Sequence, residues 1–237
     1  AFMNCTNLVL NDFSRISGFD SMCFRNCTSL PSVITSAMMP SVITGWAMIN
    51  SGSPPFFLCT QITSMDFSLV DATASVAIGL IGATNLTTLV VPNNMTTLGN
   101  MYAGLGITSV AIPPGVTSFS GTGQFSGCTS LQTITNFPTD ITEIPDDMCH
   151  DCVALTSFTI PSSVTKIGAN AFDQCNSLTS ITVPSSCTEI GRFAFYHCDS
   201  LTSITLEEGI TTLGGNCFAA CISLESLTIP DSVTTVS

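Results

Sequence analysis

The stretch from Cys152 to Ser237 decides the fold, because it repeats one sequence motif. It reads CVALTSFTIPSSVTKIGANAFDQ from Cys152, CNSLTSITVPSSCTEIGRFAFYH from Cys175 and CDSLTSITLEEGITTLGGNCFAA from Cys198, and each copy begins where the one before it ends. A shorter copy, CISLESLTIPDSVTTVS, follows from Cys221. A fixed period of about 20–50 residues is typical of a solenoid, in which one supersecondary unit stacks on copies of itself.

The motif also recurs towards the N-terminus, at less regular spacing. Earlier copies open at Cys128, Ile107, Leu86, Cys59, Cys27 and Cys5, and the copies at Ile107 and Leu86 lack the cysteine. We therefore expect one solenoid over 1–237, with regular 23- to 24-residue repeats over 128–237 and degenerate repeats over 1–127. An insertion is expected within 31–58, and a longer helical turn in the Ala- and Gly-rich stretch 72–83. The chain begins and ends within a repeat, which predicts that it is an excerpt of a longer array.

Each copy contains the pattern of a short strand. Leu178, Ile181 and Val183 are apolar, and the last two alternate with Ser180 and Thr182. This period of two is typical of a strand with one buried and one exposed side. A turn, a second short apolar pair and another tight turn complete the copy. Stacked copies would align their strands in a parallel sheet, about 4.8 Å apart.

The repeat also resembles a known family. Its form C-x-S-L-T-S-I-T-I-P-x-S-V-T-x-I-G-x-x-A-F-x-x contains the leucine-rich template as Leu178-x-x-Ile181-x-Val183, and it is similar to the BspA-like leucine-rich repeat family. The resemblance implies a mainly β, curved, right-handed solenoid with a parallel sheet on one face and short strands and turns on the other. It also implies a non-enzymatic protein-binding or adhesion module of a secreted or cell-surface microbial protein.

Composition excludes several classes of partner. The net charge is −12, and the chain has only 4 Lys and Arg residues, so no basic patch for nucleic acid or anionic lipid can form. The most apolar stretch, 72–91, carries too many Thr, Ser and Asn side chains for a membrane span. Ser and Thr make up 63 of the 237 residues, which predicts a hydroxyl-rich surface.

The cysteines leave two interpretations open. One repeat position is shared by Cys5, Cys27, Cys59, Cys128, Cys152, Cys175, Cys198 and Cys221. This position suits a buried column of small apolar thiols. The off-column cysteines are Cys23, Cys149, Cys187 and Cys217, and the pairs Cys23–Cys27 and Cys217–Cys221 would be disulfides in an oxidising compartment.

Other candidate chemistry is sparse. Cys149 and Cys152 spell C-x-x-C, but both occupy ordinary repeat positions, so we expect neither a metal nor a redox cofactor. His150 and His197 are the only histidines, each lies just before a repeat cysteine, and no Ser/His/Asp constellation is proposed from them. No catalytic residue is predicted, and we expect the chain not to be an enzyme. Glycosylation sequons, which matter only in a eukaryotic secretory protein, occur at Asn4, Asn26, Asn85 and Asn94.

The best functional candidates are the outward positions of the repeated strand. They are Thr133, Thr135, Ser157, Thr159, Ser180, Thr182, Ser203, Thr205, Ser226 and Thr228. Stacking would align them in two hydroxyl columns on an exposed sheet, although Thr also suits a wet strand without any binding role. We expect a protein or glycan partner outside the cell or at its surface. The alternatives are self-assembly into an extracellular filament or coat and, third, ice or mineral binding.

Overall fold

Short parallel strands stack in two columns along the protein. The structure is a computed structural model that describes residues 2–15, 18–19, 23–38, 45–46, 59, 61–69, 80, 83–100 and 102–237. Its only assigned helix among these residues is the 3-10 turn Ser36–Met38. The fold is therefore a mainly β parallel solenoid, as the repeat predicts.

Within the described residues, strands of the first column lie a few residues after seven of the ten repeat starts. They are β2 (Val33–Ile34), β4 (Ser64–Asp66), β5 (Thr88–Val90), β7 (Ser109–Ala111), β9 (Thr133–Thr135), β12 (Ser180–Val183) and β14 (Ser203–Leu206). We call the exposed side of this column, with the ten predicted hydroxyl residues, the Ser/Thr face. Its strands pair in parallel as β2–β4–β5, β7–β9 and β12–β14.

Strands of the second column lie about half a repeat later and form what we call the opposite face. They are β1 (Gly18–Phe19), β3 (Gly45–Trp46), β6 (Thr97–Leu98), β8 (Ser118–Phe119), β10 (Glu143–Ile144), β11 (Lys166–Ile167), β13 (Glu189–Ile190), β15 (Thr212–Leu213) and β16 (Thr235–Val236). The last five form one continuous parallel sheet in which every residue pairs with its equivalent in the next copy, as in Lys166↔Glu189.

Apolar side chains of successive coils stack inside the solenoid. Phe172 and Phe195 have ring centroids 5.3 Å apart, and Phe195 and Phe218 are 5.6 Å apart, both in stacked geometry. Leu178 and Ile190 are fully buried beside them. The core is thus one continuous column, so each coil buries its apolar positions only against its neighbours.

The repeating cysteine lies in this core and bonds one coil to the next. Cys175 Sγ donates to the backbone oxygen of Cys149 at 3.3 Å, and Cys198 Sγ donates to that of Phe172 at 3.2 Å. The same bond joins Cys27 to Phe2, Cys59 to Phe24, Cys128 to Tyr102, Cys152 to Phe125 and Cys221 to Phe195. A burial preference alone would not have predicted these bonds, because a thiol is only a weak donor.

None of the twelve cysteines is joined in a disulfide in the structure, and this includes the pairs considered above. Cys5 is exposed, whereas the other eleven are buried. Ala83 and Leu105 occupy the column position in the two copies that lack the cysteine, since their amides bond three residues back as those of the column cysteines do. The column is therefore packed without a gap, but two of its positions hold Ala or Leu in place of a cysteine.

Two parts of the predicted strand column are wrong. Ser157 and Thr159, and likewise Ser226 and Thr228, lie outside any strand, because their segments make no ladder bonds to neighbouring coils within the described residues. In the coils from Cys128 onward, strands form where the central inward residue is Ile, at Ile134, Ile181 and Ile204. Phe158 and Leu227 replace that Ile in the two unpaired segments. The Phe158 ring is bulkier than the Ile side chain that it replaces, and extra bulk at an inward position shifts the backbone. Leu227 has no such explanation, because Leu89 occupies the same position inside β5.

The region of the expected insertion is only partly described. Within it, Gly45–Trp46 pairs with Gly18–Phe19, and Val33 pairs with Ser64, so the spacing between partners is wider here than in the regular copies. Most of 39–58, and most of the stretch 72–83 that was expected to be helical, lie outside the described residues.

Candidate binding face

All ten predicted hydroxyl residues are exposed on the Ser/Thr face. Thr133, Thr135, Ser180, Thr182, Ser203 and Thr205 are carried by β9, β12 and β14, whereas Ser157, Thr159, Ser226 and Thr228 are carried by the unpaired segments. Register places Ser180 beside Ser203 and Thr182 beside Thr205 on neighbouring strands. The two hydroxyl columns therefore exist, although the sheet beneath them is interrupted.

The hydroxyls of this face are largely unused by the fold. Among the ten, only that of Thr135 has a hydrogen bond within the described part of the protein, to the Val110 carbonyl at 3.4 Å. The opposite face differs, because Thr165, Thr188 and Thr211 each donate their Oγ1 to the carbonyl of the equivalent Thr one coil back, at 3.0–3.1 Å. Those threonines hold coils together, as Thr202 does beside the Ser/Thr face by donating to the Thr179 carbonyl at 3.2 Å. The other nine predicted hydroxyls of the Ser/Thr face are available to a ligand.

The Ser/Thr face opens at segment 156–160. No backbone hydrogen bond links Ser157, Phe158 or Thr159 to either neighbouring coil in the described residues. At its start, the Thr156 amide reaches the Gln132 carbonyl at 3.4 Å, the long end of the hydrogen-bond range. The backbone groups of residues 157–159 are therefore free to bond water or a ligand.

Two grooves flank the open segment and share its residues Ser157, Phe158 and Thr159. The groove on the C-terminal side has a volume of about 430 Å³ and is completed by Ser180 and Thr182, among others. The groove on the N-terminal side has a volume of about 360 Å³, and its lining includes Ile134, Asn136, Phe137, Thr139 and Pro161. Four of the ten predicted residues thus line a concave site, which sequence alone did not indicate.

The grooves contain aromatic surface but little charge. Phe158 is half-buried and meets Phe137 edge-on, with ring centroids 4.9 Å apart. Neither groove is lined by Lys, Arg or His. The one carboxylate, Glu207, already accepts the Ser185 amide at 2.8 Å. The site therefore suits a ligand without strong charge.

The C-x-x-C pair does not have the character of a reactive thiol site. Cys149 and Cys152 are fully buried, and burial raises the pKa of Cys149 well above its ordinary value, with the neighbouring Cys152 thiol adding to the shift. Catalytic and metal-binding cysteines act as thiolates and have lowered pKa values. Among the described residues, no group of three or more His, Cys, Asp or Glu side chains is placed to hold a metal ion.

One row of polar residues crosses three coils and was not visible in the sequence. Ser126 Oγ lies 3.4 Å from His150 Nδ1, and His150 Nε2 lies 3.5 Å from Asp173 Oδ2. Both distances exceed the range of about 2.6–3.2 Å that joins a nucleophile to its base. The row does not line the two grooves. It connects neighbouring coils at the surface, as Lys166 does on the opposite face with Glu189 at 3.4 Å.

Comparison with known proteins identifies the family. A model of the BspA type Leucine rich repeat region, in six copies, matches residues 1–106, 56–177 and 142–237. The chain belongs to the BspA-type leucine-rich repeat family. This BspA-type assignment covers the irregular N-terminal copies as well as the regular ones. No curated protein matches the chain.

Solved structures with the same fold include bacterial leucine-rich repeat proteins. A leucine rich cell surface protein from Faecalibacterium prausnitzii is 27% identical, with a TM-score of 0.54 over 100% of this chain and 57% of that one. A T. pallidum leucine rich repeat protein is 28% identical, with a TM-score of 0.56 over 73% of each chain. A protein from Eubacterium ventriosum, at 20% identity and a TM-score of 0.65 over 92% of this chain and 65% of that one, shows the fold alone. The BspA-type chain thus spans little more than half of the Faecalibacterium protein.

Within the described residues, no helix of this BspA-type repeat reaches the length and apolarity needed to cross a bilayer. The glycosylation sequons predicted from the sequence lie at the surface. Asn4, Asn85 and Asn94 are exposed, and Asn26 is half-buried and hydrogen-bonds to Asn4.

Proposed function

We propose that this chain is a non-enzymatic, surface-exposed or secreted binding module of a microbial adhesion protein, and that it binds a partner protein through the Ser/Thr face. The observation that carries the proposal is the supply of exposed hydroxyls that make no hydrogen bond within the fold. The family and the cell-surface protein among its structural relatives support it. A solenoid offers such a face as an extended, rigid surface, so little conformational entropy is lost on binding.

The composition of the surface favours a partner of neutral or basic character. The chain has a net charge of −12, and 12 of its 16 acidic residues lie at or after Asp140. Acidic groups near the Ser/Thr face, such as Glu207 and Glu208, would favour encounter with a basic surface and disfavour an acidic one. Association is therefore expected to weaken as salt is added.

The test is a binding screen followed by substitution on one face. The purified chain is applied to immobilised extracellular-matrix proteins and to host cells, and the affinity for any hit is measured by surface plasmon resonance. Ser203→Arg combined with Thr205→Arg should weaken binding at least tenfold, because two bulky cations block the hydroxyl columns. Thr235→Arg, at an exposed position of the opposite face, is the matched control and should leave the affinity unchanged. Absence of any partner, or equal loss in both variants, would contradict the proposal.

The alternatives remain predictions with simple tests. A monodisperse monomer in light scattering would exclude the filament or coat. A null result in thermal-hysteresis measurements would exclude ice binding.

A further inference from the structure

We propose that the two grooves beside segment 156–160 form a binding site for a neutral oligosaccharide. The inference rests on the proposed function in that it uses the same Ser/Thr face, and it assigns a ligand class to one part of that face. We call this part the Phe158 groove, defined by Ser157, Phe158, Thr159, Phe137, Ser180 and Thr182.

The lining has the two kinds of surface that a sugar ring needs. A pyranose has an apolar face of C–H groups, which packs on an aromatic ring, and an edge of hydroxyls, which needs both donors and acceptors. Phe158 supplies ring surface to both grooves, and Phe137 adds ring surface to the N-terminal groove. Hydroxyls of Ser157, Thr159 and Thr182 each donate and accept, and none has a hydrogen-bond partner within the described residues. Free backbone groups at 157–159 add further donors and acceptors.

The charge of the lining selects a neutral ligand. An acidic saccharide, a phosphate or a nucleotide would find no Lys, Arg or His in either groove. A cationic ligand would find only Glu207, whose carboxylate already accepts the Ser185 amide. Neutral hydroxyl groups lose less on leaving water than ions do, and they regain hydrogen bonds from the lining.

The geometry disfavours the other occupant of an interrupted sheet, an inserted peptide strand. A strand added between two coils would have to part them by about 4.8 Å. On the opposite face, Glu143, Lys166 and Glu189 pair directly, and the thiols of Cys152 and Cys175 bond the same coils together. These contacts hold the coils at the spacing of one strand. The gap in hydrogen bonding at segment 156–160 is therefore too narrow for a peptide strand to enter.

The size of the site fits a short chain of sugar rings. The two grooves measure about 430 and 360 Å³, within the range of small-molecule sites. Because both are lined by Phe158, a ligand that crosses the open segment would contact its ring and occupy both grooves. We therefore expect at least two rings to be bound together, and a monosaccharide to bind much more weakly.

The experiment is saturation-transfer difference NMR with maltotetraose, cellotetraose, laminaritetraose, mannotetraose and chitotetraose, each against the purified chain. The neutral peptide acetyl-(Thr-Val)3-amide is measured in parallel. At least one saccharide should receive saturation at its ring C–H protons, and the peptide should receive none. Phe158→Ile, which installs the residue of the paired coils, should weaken the saccharide affinity at least tenfold. Thr159→Lys, an exposed substitution that obstructs both grooves without touching the core, should do the same.

Controls separate this inference from the proposed function. Ser203→Ala, on a paired strand outside both grooves, should leave saccharide binding unchanged. Saturation of no saccharide, binding of the peptide in its place, or saccharide binding that survives both Phe158→Ile and Thr159→Lys would overturn the inference. In each of these cases a partner protein lost on Ser203→Arg with Thr205→Arg would still support the proposed function. Saccharide binding without any protein partner would support this inference and contradict the proposed function.

Discussion

The two faces of the regular coils differ although the same repeat builds both. On the opposite face, strands β10, β11, β13, β15 and β16 pair without a break, and their threonine hydroxyls bond coil to coil. On the Ser/Thr face, β12 and β14 pair, but residues 157–159 make no ladder bond, and nine of the ten predicted hydroxyls make no hydrogen bond within the described residues. One face thus fixes the spacing of the coils, and this allows the other to present unpaired groups to a ligand.

The closed face depends on backbone contact that only glycine permits. Gly191 follows β13, and a Cβ placed on it would lie 2.6 Å from the backbone of Gly168 and Ala169 in the previous coil. Gly191→Ala should therefore part these coils and lower the free energy of unfolding by about 1–3 kcal/mol, measured by urea denaturation. Gly215→Ala is the matched control, because its Cβ would find no atom nearer than 3.5 Å. Equal effects of the two substitutions would show that the close approach is unimportant.

The buried thiols, both in the cysteine column and off it, should lower the stability of the fold in alkaline solution. Burial raises the pKa of Cys59 and Cys217 to about 11 and that of Cys128 to about 12, from an ordinary value of 9.0. The unfolded chain loses these protons above pH 9 whereas the folded protein keeps them, so stability should be complete below pH 9 and fall as the pH rises towards 12.

Urea denaturation at pH 8 and pH 10.5 measures this effect. A variant with Cys59, Cys128 and Cys217 each replaced by Ala should be less stable at pH 8 but should lose less between the two values. An identical pH dependence in the variant and the wild type would mean that these thiols are not the cause.

The turns between coils offer a smaller, stabilising change. Ala220 adopts a left-handed backbone, φ 59°, at the position where Gly104 and Gly127 stand in other coils. Left-handed geometry costs a non-glycine residue about 1–2 kcal/mol, so Ala220→Gly should raise the free energy of unfolding by up to about 1 kcal/mol once the extra freedom of the unfolded chain is included. Ala219→Gly, at a neighbour without positive φ, should lower it. A thermal unfolding midpoint that falls for both would contradict the assignment.

The sequence predicted the fold to the level of the repeat and the exposed residues. The constant spacing of Cys152, Cys175, Cys198 and Cys221 and the alternation around Ile181 were sufficient for the parallel solenoid, because each coil buries its apolar positions against its own copies. The same alternation placed all ten hydroxyl residues on the exposed side.

The Phe158 groove was not predictable in the same way. Phe158 matches the apolar pattern of Ile181, so periodicity does not distinguish the two positions. The position of the Phe158 ring in the grooves and the loss of ladder bonds depend on packing between coils. The donor role of the thiols and the Ser126–His150–Asp173 row were missed for a related reason. Their partners lie about one repeat away, and only the register brings them together.

Amide hydrogen exchange, measured by NMR, compares the two faces within a single coil. Segment 156–160 and strand β11 belong to the same coil, so global unfolding exposes them equally. We predict that the amides of Ser157, Phe158 and Thr159 exchange as fast as those of exposed loops, whereas those of Lys166 and Ile167 are protected at least a thousandfold more. Equal protection at the two sites would show that the Ser/Thr face is closed and would contradict this account.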